Sequence, residues 1–252
     1  MITDPMFFLC AIPAVLLYGM AKGGFGGSVS VIAIPLMSLA VPPVQAAAIM
    51  LPLLVAMDFV AIWSFRGTWS KRNIKLTLPG AIGGIIIGAF TFKYLSEDAI
   101  RLLIGVIAVA FCLDYWFRPA PSGGRTPTLA GGTFWGTVAG FTSFGLHQGG
   151  APISVFYLPQ QMDKKTLMGT FAVFFTIVNL VKLIPYTWLG QFDTRNLLTS
   201  LVLLPLTPVG VRLGYYFLGR VNDKTIYTIC YFFLLIVGIK LLWDGGSGVL
   251  GI

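Results

Sequence analysis

The chain has 252 residues, of which 56% are hydrophobic and only 10% charged, and its mean hydropathy is +0.85. A soluble domain of this length carries far more charge, so the composition excludes one and implies an all-α polytopic membrane protein with the lipid bilayer as its main partner. The net charge of +8 does not indicate a nucleic-acid partner, because the basic residues cluster in short loops between apolar runs, as the positive-inside rule expects.

In chain order the first apolar run covers 6–21. Its flank "MITDPMFF" has neither a basic n-region nor a small-x-small cleavage site, so it reads as a retained helix. The break "KGGFGGS" follows, and then a run at 28–40 of about 13 residues, too short to span at about 1.5 Å per residue. Runs at 45–65, 76–93 and 99–117 complete the first half. The Pro- and Gly-rich stretch "RPAPSGGRTPTLAGG" is the one segment with linker composition. Beyond it lie runs at 129–145, 150–160 (again short, and again after a break, "FGLHQGGAP"), 166–186, 197–217 and 225–243. Cys10, Cys112 and Cys230 stand singly in apolar runs. With no CxxC spacing, neither a disulfide framework nor a metal site is expected, and no cofactor motif is present. "KGGFGG" lacks the Walker spacing and its closing Lys-Ser/Thr, and "GGFGGS" has no preceding strand for a dinucleotide site.

The two halves match each other. "LPGAIGGIIIG" pairs with "LPLTPVGVRLG", "YLSEDAIRLLIGVIAVAFCLDYW" with "RVNDKTIYTICYFFLLIVGIKLL", and "GGFGGSVSVIAIPL" with "LHQGGAPISVFYLP"; Asp58 falls opposite Asn179. The order is the same in both halves, which implies a duplication: a first repeat at 1–118, a linker at 119–128 and a second repeat at 129–252. If the first two runs of each half form an up-and-back hairpin, the repeats are inverted. One face then collects Arg66, Lys71, Arg72, Lys75, Arg118, Arg125, Lys164, Lys165, Arg220 and Lys224, and the other keeps only Lys93, Arg101 and Arg195. Parallel repeats split these residues about evenly, so the skewed arrangement fits the positive-inside rule and places both termini outside the cytoplasm. The expected fold is two inverted repeats, each a glycine-broken short-helix hairpin followed by three transmembrane helices.

Helices broken at corresponding places in two repeats point to a transporter's binding site. Exposed N–H groups at the starts of the two short helices would favour an anion. The expected substrate-binding residues are Lys22, Gly24, Gly26, Gly27 and Ser28 from the first break, His147, Gln148, Gly149 and Gly150 from the second, and Arg212, which interrupts an apolar run. Lys22 would neutralise the anion, its bland alternative being a lysine that snorkels. His147 and Asp58 are the candidate proton-coupling groups; Asp58 has the alternative of pairing with Lys22. Lys182, Asn179, Asp114 and Lys240 rank lower because helix-end placement accounts for several of them.

"GMAKGGFGGSVSVIAIPLM" together with "FTSFGLHQGGAPISVFYLPQQM" resembles the paired signatures of the TauE/SafE sulfite exporter family, and the resemblance covers nearly the whole chain, including the duplication. It implies a transporter of sulfur-containing anions (sulfite, sulfonates or similar) in the cytoplasmic, or inner, membrane, with export driven by membrane potential or protons. It also implies that the glycine motifs form the substrate site. Ala151 stands before Pro152 where many relatives have another proline. A channel-like anion pathway is the alternative, and an intramembrane hydrolase using Ser143 and His147 is a rival of a different class; the expectation is a non-enzyme. Homo-oligomerisation is compatible with all of these.

Overall fold

A computed structural model describes residues 1–25, 29–117, 126–218, 220 and 223–251, with the backbone alone described at 223–227, 229 and 230. Gly26, Gly27 and Ser28 of the expected site, and 119–125 of the expected linker, lie outside the described residues.

The described elements are helices. Asp4 caps α1 (Pro5–Met20), its carboxylate accepting from the Met6 N–H at 2.9 Å, and Pro5 starts the helix where its missing N–H costs nothing. The chain then runs through a π-helical turn, Ala21–Phe25, to a 3₁₀ turn, Ser30–Ile32, and the short α2 (Ala33–Met37). Next come α3 (Pro43–Ser64), α4 (Lys71–Tyr94) and α5 (Glu97–Phe117). The second half repeats this order with α6 (Leu129–Leu146), the short α7 (Gly150–Tyr157) and α8 (Lys164–Trp188). It ends with α9 (Thr194–Leu203), α10 (Leu206–Phe217) and α11 (Asp223–Leu250). Side-chain caps at Ser70, Thr128, Asp163 and Asp193 open α4, α6, α8 and α9 by accepting from otherwise unpaired N–H groups.

Six described helical segments are long and apolar enough to cross a membrane, and the α9–α10 pair, bent by 44°, makes a seventh if it is one span. The apolar run at 197–217 therefore forms two helices, with Pro205 at the bend. Proline lacks the N–H that the ladder needs, and its ring clashes with the preceding turn. α11 instead continues beyond the expected end at 243, through "DGGSG" to Leu250. Gly245 and Gly248 let α11 lie directly on Leu102 and Asp98 of α5.

Two glycine seams hold the bundle. In one, Gly80 and Gly84 of α4 touch the carbonyls of Thr133 and Thr137, while Gly136 and Gly140 of α6 touch those of Thr77 and Ala81. Any Cβ at these places would meet backbone, so only glycine allows this approach. In the other, Gly19, Gly23 and Gly24 at the end of α1 press on Gly210, Val211 and Gly214 of α10. α5 packs on α11 and α3 on α8. A buried core with Met50, Leu54, Met57 and Phe174 fills the centre.

Loop contacts sort the chain's ends into two groups. Ser70 N–H donates to Thr170 at 2.9 Å, Asn73 to Gln160 at 2.9 Å and Arg72 to Pro127 at 3.3 Å. A separate group joins the starts of α1 and α3 to α9: Ile2 N–H donates to Thr199 at 2.9 Å and Gln45 to Asn196 at 3.0 Å.

Candidate functional site

The first helix continues past α1 through the π turn as one segment, Pro5–Phe25, so Lys22 sits in helical backbone and not in a break, buried inside the bundle. Its ammonium pairs with Asp58 of α3; the two side chains are 8% and 1% exposed. The other carboxylate oxygen of Asp58 accepts from Asn179 of α8 at 2.6 Å. A buried pair of this kind is held by mutual need, since removing either partner strands a charge in a low-dielectric surround. Lys22 also lies 5.6 Å from the Phe175 ring and 5.8 Å from the Tyr18 ring, within cation–π range. A narrow cavity of about 20 Å³, room for about one water, opens onto this group. Lys22, Asp58 and Ser30 form its polar part, and Tyr18, Phe171 and Phe175 its aromatic walls. Phe171 and Phe175 are stacked, 6.2 Å apart and 5° from parallel.

The second break meets the first. Gln148 donates to the carbonyl of Val31, in the 3₁₀ turn after the first break, at 2.8 Å, and the Tyr18 hydroxyl donates to the carbonyl of His147 at 2.7 Å. His147 ends α6 in the left-handed conformation, φ 52°. This position usually goes to glycine or asparagine, so a histidine here implies that the ring is wanted where it sits. Its Nε2 faces the carbonyl oxygen of Ala47 at 2.9 Å, and an oxygen that can only accept requires the proton on Nε2. Nδ1, which also lies 3.2 Å from the Ser143 carbonyl, is then left to accept from Lys182 at the shorter 2.7 Å. Lys182 is fully buried and gives its other hydrogens to the carbonyl and hydroxyl of Ser143, at 2.9 and 3.1 Å. A further proton on Nδ1 would put two cations in contact.

A second, wider cavity of about 530 Å³ lies at the far end of α8. Ala47, Phe92, Lys93, Phe144, Gly145 and Tyr186 are among its walls. One face of α8 thus runs from cavity to cavity, with Phe171 and Phe175 in the first, Asn179 and Lys182 between, and Tyr186 in the second. The intervening groups are closed off, with Asn179 and Asp58 at 2% and 1% exposure.

Of the residues expected from sequence, Lys22 and Asp58 meet at the first cavity. His147 and Gln148 lie behind it, buried and bonded to backbone; Gln148 Oε1 has no partner among the described residues. Gly149 faces Ala139 and Ser143, and Gly24 the backbone of Gly214, so both serve close packing. Gly150 starts α7. Arg212 is exposed on α10, away from the pair. The reason is local: Gly210 and Gly214 mark the face of α10 that packs on α1, and Arg212, midway between them, points the other way. Lys182 and Asn179, ranked low from sequence, are central. Their signal was the spacing Phe175, Asn179, Lys182, Tyr186, which puts two polar groups in one buried stripe of a helix. Among the described residues no three His, Cys, Asp or Glu side chains converge as a metal would need.

Residues 11–241 match the family model described as sulfite exporter TauE/SafE. A similar protein is the "Probable sulfite/organosulfonate exporter TauE" of Cupriavidus necator (strain ATCC 17699), 23% identical over 177 residues that make up 68% of each chain. No solved structure gives a significant match.

Proposed function

The chain belongs to the sulfite exporter TauE/SafE family, and from that premise we propose that it is a secondary transporter that carries a sulfur-containing monoanion out across the cytoplasmic membrane. The observation that carries this reading is the Lys22–Asp58 pair in the wall of the first cavity. An incoming anion competes with Asp58 for Lys22, so substrate and carboxylate exchange one cation. Lys22 meets the oxyanion, and the stacked Phe171 and Phe175 rings beside it suit an apolar substituent. This combination favours an organosulfonate over bare sulfite. Asp58, once displaced, is the natural acceptor of a proton. His147 is a weaker candidate for that role, because both of its ring nitrogens are already engaged.

Inverted repeats are supported by the exchange of partners between halves. α1 packs on α10 as its counterpart α6 packs on α4, and α3 and α5 pack on their own counterparts α8 and α11. Asp58 bonds to Asn179, the residue it matches in the internal alignment. The two cavities correspond as well: Ala21 and Lys22 in the first match Phe144 and Gly145 in the second, and Met168 matches Ala47. They are two ends of one path, separated by a buried layer, an arrangement suited to a carrier rather than a channel. We take 1–118 and 129–252 as the repeats. The group of loops holding Arg66, Lys71, Arg72, Lys164 and Lys165 is assigned to the cytoplasm, with both termini outside. The first cavity, beside Met168 near the start of α8, then loads from the cytoplasm. With the interior negative, each negative charge leaving gains about 2.3 kcal/mol per 100 mV.

The test is efflux from proteoliposomes loaded with benzenesulfonate, methanesulfonate, sulfite or sulfate, with voltage and pH gradients imposed separately. Voltage-driven efflux, fastest for the sulfonates, is the expected outcome. Transport of none of these anions would overturn the reading.

A further inference from the structure

We propose that Lys182 is a second anion station, which takes the sulfonate head from Lys22 on its way to the second cavity. This rests on the transporter reading above.

The two buried lysines differ in their company. Lys22 has a carboxylate, Asp58. Lys182 is fully buried, and all three of its hydrogens go to neutral acceptors at the end of α6: the carbonyl and hydroxyl of Ser143 and Nδ1 of His147. The carbonyl end of α6 supplies only partial negative charge. Among the described residues no carboxylate lies within ion-pair distance of Lys182, and its three acceptors match the three hydrogens of an ammonium. With Lys182 so protonated, this layer holds two ammonium groups and one carboxylate, and a bound monoanion balances it.

Position agrees with charge. Lys182 lies one turn beyond Asn179, which holds Asp58 at 2.6 Å, and one turn before Tyr186, a wall of the second cavity. The His147 ring that accepts from Lys182 is itself fastened to Ala47, another wall of that cavity, at 2.9 Å. Where the first cavity has Lys22, the second has Gly145, with the Phe92 ring filling the place a side chain would take. The cation in the walls of the second cavity is Lys93, near the end of α4; the second break brings none, and α8 places Lys182 between the two cavities. For the anion to bind, Lys182 must exchange one of its hydrogen bonds, to Ser143 or His147, for an oxyanion oxygen.

The test compares Lys182→Met, which keeps an unbranched stem without the charge, with Lys182→Arg and Lys22→Met. For Lys182→Met, benzenesulfonate efflux from proteoliposomes falls by about tenfold or more, while its affinity in detergent by calorimetry, set by Lys22, stays within about threefold. Lys182→Arg keeps a substantial part of the flux, and Lys22→Met loses binding. Wild-type efflux in Lys182→Met would overturn the proposal, as would equal loss in Lys182→Met and Lys182→Arg, which marks Lys182 as a helix cap only. If the methionine variant does not reconstitute, Ser143→Ala carries the test: it removes an acceptor that competes for the ammonium, so the maximal rate of efflux rises while the affinity, set by Lys22, stays within about threefold. A maximal rate equal to that of the wild type would overturn the proposal. Failure of the wild type to transport would instead overturn the transporter reading itself.

Discussion

Replacing Asp58 by Asn tests whether substrate and carboxylate compete for one lysine. The substitution keeps an oxygen for Asn179 but turns an N–H₂ toward Lys22, so the ammonium loses its counter-charge and meets a donor. Breaking one side of a buried pair costs about 3–5 kcal/mol, so the variant without anion should be distinctly less stable than the wild type. An anion then faces no competitor. Two unit charges about 4 Å apart interact by about 4 kcal/mol at an effective dielectric of about 20. If about a third of that is recovered, the anion binds about tenfold more tightly. Saturation at about 100 times Kd would return about 2.7 kcal/mol of stability. Thermal unfolding in detergent with increasing benzenesulfonate, alongside calorimetry, measures both effects. Transport should fall even as affinity rises, because the returning carboxylate that helps to release the anion is gone. Unchanged or weaker affinity in Asp58→Asn would refute the competition.

Three other substitutions probe separate parts of the molecule. Gly84→Val drives methyl groups into the Thr137 carbonyl across the α4–α6 seam; overpacking costs about 1–3 kcal/mol, so yield and melting temperature drop while the protein that folds binds anion normally. Phe175→Ala removes one ring of the stacked wall, and about 1–3 kcal/mol of discrimination goes with it; benzenesulfonate transport falls by about tenfold or more and methanesulfonate much less, as competitive uptake would show. A cysteine at exposed Arg72, in a background without Cys10, Cys112 and Cys230, is shielded from an impermeant maleimide in intact cells and reacts after permeabilisation; labelling from outside would reverse the proposed topology.

How much of this was legible in the residues depends on whether the decisive property was local. The breaks at "KGGFGGS" and "FGLHQGG" announce themselves because glycines there interrupt runs that could otherwise be helical. The Lys22–Asp58 pairing was one of two options for Asp58, since a lone buried carboxylate needs a cation and Lys22 was at hand. The glycines of the first break looked like a cradle for a ligand, yet Gly23 and Gly24 are taken up by the approach of α10. Their partner lies in the other half of the chain, 190 positions away (Gly214 against Gly24), and no local pattern reports it. Arg212 was read as a cavity residue because charge in an apolar run attracts notice. Which side of α10 faces the bundle was nonetheless written in Gly210 and Gly214. Lys182 was undervalued for the opposite reason: it lies close enough to the end of α8 to look like a snorkelling lysine, and only the fold shows that it turns inward to Ser143 and His147.

The central claim is that Lys22 is the cation that a transported anion binds. Its most direct test is benzenesulfonate efflux from proteoliposomes carrying wild-type or Lys22→Met protein, each confirmed as folded and monodisperse, under a stepped membrane potential. Wild-type efflux should rise with the driving potential and that of Lys22→Met should fall to the level of protein-free liposomes. Voltage-dependent efflux of wild-type size through Lys22→Met would contradict the account.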